Sequence, residues 1–405
     1  MKTLLFRWPA RHGNNRSFRA FVTGGAALLL GCSTSAVAQS GMVMYGTADV
    51  AMAYADNHLG SAEYYVRSGA KDASRLGLRG TEDLGSGAEL IFTLEAGYNL
   101  DDGTASQAGS LFNRQSFIGI NHARLGTLTA GRQYAPYWQL LSPLGPVPAL
   151  TGALGAHPGD IDGLDVTIRH NNAIKYVSPV LHGVSAGVMV ASGEHANGGA
   201  GTAGALSAAI KYETGPWRLG AGYQSIKNGV QGASWDTAAS SSFLKSTVNA
   251  GYLSAREVQY LALVAHRQSG ALGIGASVSN VQYVPNARSR FAETASFNTG
   301  GVFATWQTGS PWLLGAGVSY TREQSANGIA HPANYRQLSL QQTYWLTKRT
   351  GIYLLEATQR AHGQTLAADG VTAINAVASL GDSNAGTPSS DGKQTIFMVG
   401  VRHTF

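Results

Sequence analysis

From Met42 to Met52, small or apolar residues take every second position (Met42, Met44, Gly46, Ala48, Val50, Met52), while Tyr45, Thr47 and Asp49 occupy the alternate ones. The pattern returns where Leu90, Phe92, Leu94, Ala96 and Tyr98 oppose Glu89, Thr93 and Glu95. It returns again where Phe397, Val399, Val401, His403 and Phe405 oppose Gly400, Arg402 and Thr404. Period two describes a strand with one apolar and one polar face. In a soluble sandwich the apolar face turns inward. In a membrane barrel it meets lipid and the polar face lines water. The local pattern alone admits both.

The connections favour the barrel. Short ones at Glu82–Gly87, His122–Gly126, Pro179–Gly183, Glu213–Pro216 and Thr347–Thr350 alternate with longer segments at Asn99–Ser110, Tyr134–Arg169, Ile226–Arg256 and Ala361–Gly392. Short periplasmic turns and long extracellular loops are the layout of outer-membrane barrels. Strands of about 9–11 residues, tilted by about 45°, cross a hydrocarbon layer. The expected fold is therefore all-β, a transmembrane antiparallel barrel of about 16 strands, an even number as such barrels require. The pattern does not define the strand ends within 227–294. No segment approaches ~18 consecutive apolar residues, so a spanning helix is not expected. A partial barrel would leave unpaired edges in lipid, so residues 39–405 are expected to form one domain.

Composition changes the picture mainly at the N-terminus. Fifty-two glycines and only 13% charged residues suit many short strands joined by turns. The formal charge of +6 could suggest a nucleic-acid partner. However, Lys2, Arg7, Arg11, Arg16 and Arg19 precede a short apolar stretch (Ala20 to Leu30) and Ala36-Val37-Ala38. That order reads as a secretory signal peptide over 1–38, with the mature chain beginning at Gln39. Its removal leaves a net charge of +1 and no reason to expect nucleic acid. The only cysteine, Cys32, lies upstream of that site, in a setting that also loosely fits lipidation. If it is removed, no disulfide, cysteine nucleophile or thiolate metal site remains.

Several segments together resemble the general trimeric porins of β-proteobacteria and Neisseria. They are Tyr45-Gly46 with Asp49, the run from Ser74-Arg75-Leu76-Gly77 to Gly85, Phe112-Asn113-Arg114-Gln115, Gly131-Arg132-Gln133-Tyr134, Arg169-His170-Asn171-Asn172 through Tyr176, Leu346-Thr347-Lys348-Arg349-Thr350, and the ending Gly400 to Phe405. Each is weak, but their order spans nearly all of the expected mature chain. The resemblance implies sixteen strands, a homotrimer, and a third loop, about Ala135–Ile168, folded into the pore as a constriction.

The resemblance also marks Arg75, Arg114, Arg132 and Arg169 as a basic wall opposite that loop. Strand parity supports Arg75, which opposes Leu76 and Leu78, and Arg169, which opposes Ile174 and Tyr176. Arg114 shares parity with Ile118 and Ile120. Arg132 shares parity with Leu128 and Ala130, which requires a bend or bulge after Gly131. These arginines could equally be solvated lumen charges or trimer contacts. Asp160, Asp162 and Asp165 could form the acidic side of the constriction, a calcium site or a solvated loop. Their spacing lacks the rest of an EF-hand. The resemblance implies that Phe405 serves as an assembly signal for the barrel-insertion machinery; it could also be an interfacial anchor, or both.

No zinc pair, nucleophile elbow or phosphate-binding loop appears. No catalytic residue, metal or cofactor is expected. The partners expected are outer-membrane lipid, small hydrophilic solutes and ions. The expected role is passive diffusion with a weak anion preference; an adhesin or receptor, or an outer-membrane hydrolase, on the same scaffold are the alternatives.

Overall fold

A computed structural model describes residues 41–165, 168–192, 204–228, 241–307, 309–382 and 388–405. The expected leader over 1–38, with Cys32, lies outside them. Among the described residues nineteen strand segments follow in order: β1 Gly41–His58, β2 Ser61–Ser68, β3 Arg75–Gly85, β4 Ala88–Gly97, β5 Gln115–His122, β6 Gly126–Gln133, β7 His170–Val177, β8 Val184–Ala191, β9 Ala205–Thr214 and β10 Trp217–Lys227. Then come β11 Glu257–Ser269, β12 Leu272–Val284, β13 Ala295–Gln307, β14 Trp312–Glu323, β15 Asn334–Trp345, β16 Thr350–His362, the small pair β17 Gln364–Leu366 and β18 Ala373–Asn375, and β19 Lys393–Thr404. Seventeen of these form one antiparallel sheet that closes where β19 pairs with β1.

Seventeen segments make sixteen staves. β2 pairs with the second half of β1 and β3 with its first half, so β2 and β3 are two lengths of one stave interrupted at residues 69–74. Such a break would leave backbone groups unpaired at membrane depth, where each costs several kcal/mol. Asp49 and Ser74 prevent this. The Asp49 carboxylate accepts from the backbone N–H of Lys71 (3.3 Å) and of Asp72 (3.0 Å), and its backbone carbonyl accepts from Gly69 N–H (2.8 Å). Ser74 Oγ accepts from Asp49 N–H (3.1 Å) and donates to Asp49 O (3.0 Å).

Burial runs opposite to that of a soluble protein. Met52, Val190 and Val278 on the outer face are 74%, 56% and 54% exposed, whereas Ser207, Thr321 and Gln359 on the inner face are fully covered. The apolar outer band ends, beside the short turns, in exposed Tyr176, Tyr212, Trp217, Trp306, Trp312 and Tyr344. Aromatic rings suit that level because an apolar body and a polar tip fit a lipid–water boundary. Among the described residues no helix is long and apolar enough to cross a membrane, and the crossing is made by strands.

The loop between β6 and β7 turns inward. It carries the short helices α1 (Pro136–Leu141) and α2 (Pro146–Ala149) and lies along the lumen wall. The wall is carved to receive it. A Cβ on Gly222 of β10 would sit 3.1 Å from both Leu141 and Tyr137, and one on Gly317 of β14 would sit 2.3 Å from Leu150. Polar ties complete the seat. Gln341 donates to Ala149 O (2.6 Å), and Gln337 donates to Leu154 O and Ala156 O (both 3.0 Å). Lys175 donates to Tyr134 O (3.1 Å) and to Gln139 Oε1 (2.8 Å). From the interrupted stave, Lys71 Nζ donates to Leu150 O.

Candidate constriction site

At the base of the inward loop the polar face of β4 presents Glu95, which is buried. Four side chains converge on it. Arg114 Nε donates to Oε1 at 2.8 Å, Arg75 Nε approaches Oε2 at 3.9 Å, Tyr45 donates to Oε2 at 2.9 Å and Tyr134 to Oε1 at 3.4 Å. The Tyr134 ring is also flanked by the guanidiniums of Arg169 (5.6 Å to the ring centre) and Arg114 (6.0 Å). Cations over an aromatic face gain from its quadrupole when partly withdrawn from water. Burial works against the charge of Arg114, but Tyr134 and Glu95 beside it outweigh that and raise its pKa.

Arg75, Arg114 and Arg169 therefore share one neighbourhood. Arg114 lies outside the parity argument altogether, because β5 begins only at Gln115 and Arg114 N–H bonds to Glu95 O (3.1 Å) beyond the regular ladder. Arg132 stands apart. The register between β6 and β7 shifts between Gly131 and Gln133, and the bulge turns Arg132 toward Asn113 O (2.7 and 2.8 Å), Asn171 Oδ1 (2.5 Å) and Gln107 Oε1 (3.2 Å). There it ties the second loop to the start of β7.

The three aspartates occupy different surroundings. Asp162 is fully buried against the far wall, 2.6 Å from His157 Nδ1 and accepting from Ser279 Oγ of β12 at 2.8 Å. Burial alone would raise its pKa, yet His157 and Ser279 hold it below the ordinary carboxylate value. Asp160 is buried in a left-handed turn (φ 50°), and its carboxylate accepts from Asp165 N–H at 2.8 Å. Asp165 is half-buried. Withdrawal from water and the neighbouring Asp382 and Asp160 push its pKa well up, against the pull of Arg67 and Arg169. Asp165 and Arg169 thus feel each other across the base of the loop. Among the described residues no cluster of histidines and carboxylates is arranged to hold a metal ion.

Sequence reasoning did not single out Glu95, Tyr134 or Lys71. Glu95 was visible only as one member of a polar strand face. Nothing along the chain marks it as the carboxylate on which distant arginines meet.

At the closure, Phe405 exchanges backbone bonds with Gly46 (3.1 Å each way) and its ring covers that glycine. The ring is 42% exposed on the outer face.

A closed sixteen-stave barrel with an apolar outside, a polar inside and a loop folded into the lumen defines a transmembrane β-barrel. Comparison with known proteins agrees. The profile of the Gram-negative porin family matches residues 25–364, and the chain belongs to that family. Its relatives include an outer membrane porin protein of Bordetella pertussis, 32% identical over 183 residues (40% of this chain and 46% of the relative). Outer membrane porin protein 32 of Delftia acidovorans is 32% identical over 222 residues (52% and 61%). The matched segments thus span about half the length of these relatives. Among solved structures, the anion-selective porin from Comamonas acidovorans superposes with a TM-score of 0.70 at 22% identity, covering 91% of this chain and all of that one. The trimer form of OmpT from Vibrio cholerae gives 0.63 at 15% identity, covering 90% and 99%. The protein is an outer-membrane barrel.

Proposed function

We propose that this chain forms a water-filled channel through which small hydrophilic solutes and ions diffuse passively, with a weak preference for anions. One observation carries the preference: Arg75 and Arg114 share a single carboxylate, Glu95, and Arg169 lies over the adjoining Tyr134 ring, on the inner face beside the inward loop. The Comamonas porin, which is anion-selective, supports the same direction. Two unit charges about 10 Å apart interact by about 0.4 kcal/mol in bulk water and about 1.7 kcal/mol at an effective dielectric of 20. A few such charges bias ion flux severalfold and do not make a strict selector. In this reading Asp165 is the acidic counterpart across the narrow path, Asp160 and Asp162 secure the loop, Arg132 braces the second loop, and no catalytic chemistry is involved.

The remaining parts of the proposal follow from the resemblance and the closure. The leader is removed after Ala38, three barrels associate through the outer faces near the chain ends, and Phe405 is read during insertion.

The test is the reversal potential in planar bilayers under a salt gradient. Arg75→Ala and Arg169→Ala are each expected to move the permeability ratio toward cations, most visibly at low salt because screening acts over about 8 Å at physiological ionic strength. Open conductance with an unmoved reversal potential in both variants would remove these arginines from the filter. A barrel without conductance would overturn the channel itself.

A further inference from the structure

On the outer wall the ladder aligns one lateral row that runs from the middle of β12 and β13 to the loop-side ends of β15 and β16. Val278 pairs with Gly300, Gly300 with Tyr320, Tyr320 with Arg336, and Arg336 with Arg360. Every member faces outward. Nothing lies within 4 Å of where a Gly300 side chain would begin, so the row is dented there. The dent opens into a groove of about 810 Å³ lined by Val278, Val302, Val318, Tyr320 and Leu338, with Arg336 and Arg360 at its far side.

Two like charges directly opposite each other on neighbouring strands repel. Here both are exposed, and among the described residues neither makes an ion pair. The outward side of β15 and β16 carries one carboxylate, Glu356, four residues from Arg360 along the strand and so about 13 Å away. Lys393 of β19 continues the row beyond Arg360, where Asp391 accepts from the Lys393 backbone N–H (2.8 Å) and Asp56 from that of Thr395 (2.7 Å), so carboxylates stand at that end of the row. What remains is an unneutralised arginine pair at the rim of an apolar groove, on a surface that faces lipid.

We propose that this groove is a binding site for an anionic lipid of the outer leaflet, its phosphate held by Arg336 and Arg360 and an acyl chain lying in the dent over Gly300. Guanidinium groups match phosphate oxygens in a fork, and a bridging anion relieves the repulsion between the two arginines. The apolar lining explains why the phosphate should come attached to a chain rather than free. The site is independent of ion conduction, because none of its residues faces the lumen.

The test is lipid retention by the full-length purified protein in detergent, read by native mass spectrometry. The probes are phosphatidylglycerol, phosphatidylcholine with the same acyl chains, and inorganic phosphate as competitor. The unaltered protein should retain phosphatidylglycerol over phosphatidylcholine. Arg336→Gln and Arg360→Gln should each weaken retention by about fivefold, the equivalent of about 1 kcal/mol for one basic residue near a membrane surface. Arg336→Lys should lose less, and Gly300→Leu should weaken both lipids by filling the dent. Equal retention of the two lipids, or no change in the glutamine variants, would overturn the proposal. Displacement of the lipid by inorganic phosphate at equal concentration would overturn the acyl part. Folding of each variant is checked by its heat-dependent gel mobility. If the glutamine variants fail to fold, the lipid preference of the unaltered protein together with Gly300→Leu decides the matter.

Discussion

Two groups of charged residues sit inside the same barrel and are built in opposite ways. At the far wall, Asp162, His157 and Ser279 form a small, deeply buried bonded set. At the near wall, Arg75 and Arg114 share the one carboxylate of Glu95, Arg169 lies over the adjoining Tyr134 ring, and Arg75 and Arg169 keep part of their surface open. A buried and matched set stabilises a position. A partly open and unmatched set leaves a field in the water path, because exposed charge is not cancelled locally. On the function proposed above, the first group holds the loop and the second filters what passes it.

The largest expected effect tests the first group. Asp162→Ala removes the partner of His157 and the acceptor of Ser279, and a buried polar group left without its hydrogen bond costs about 1–3 kcal/mol. The loop should come partly away from β12, seen as larger and noisier single-channel conductance with little change in ion preference. A quiet channel of unchanged size would mean that Asp162 does not hold the loop.

Next in size is Glu95→Gln, which keeps the shape and removes the carboxylate shared by Arg75 and Arg114. The reversal potential should move further toward anions, by roughly two- to severalfold in permeability ratio at low salt. Conductance should remain open. A move toward cations would show that the arginines are not in the water path.

The smallest effect is on pH. Because burial and the neighbouring Asp382 and Asp160 push the pKa of Asp165 above the usual carboxylate range, it takes up its proton before ordinary surface carboxylates as pH falls. Loss of a negative charge beside Arg169 should raise anion preference as pH falls through that window, by less than about twofold after screening. In Asp165→Asn this early step should vanish while the later titration of surface groups persists.

The architecture was legible because the side-chain period of a strand is independent of what the strand later touches. The expected connections at Tyr134–Arg169, Ile226–Arg256 and Ala361–Gly392 match the gaps that follow β6, β10 and β16 to within one or two residues. The 227–294 region, undefined by pattern, contains β11 and β12 after short helical turns that period two does not describe. Parity failed as a guide at Arg114 because it applies only inside a ladder, and the ladder starts one residue later. The seat of the loop was not legible either. Gly222 and Gly317 resemble any other glycines in a glycine-rich chain until Tyr137 and Leu150, far away in sequence, arrive over them. The break after β2 was hidden for the same reason, since Asp49 reads as one more polar residue on an alternating strand.

The closure has a consequence for time rather than for shape. Val50 meets Val401 and Ala53 meets Met398, so the ring is completed by contacts between the first and last strands of the domain. Pairings so distant along a chain form slowly, because the whole intervening segment must be confined first. Until β19 is in place the sheet is an open ribbon with two sticky edges, each able to recruit a foreign strand. The twelve residues of β19 therefore cover both edges at once, and Phe405, bonded to Gly46, closes the end of that seam.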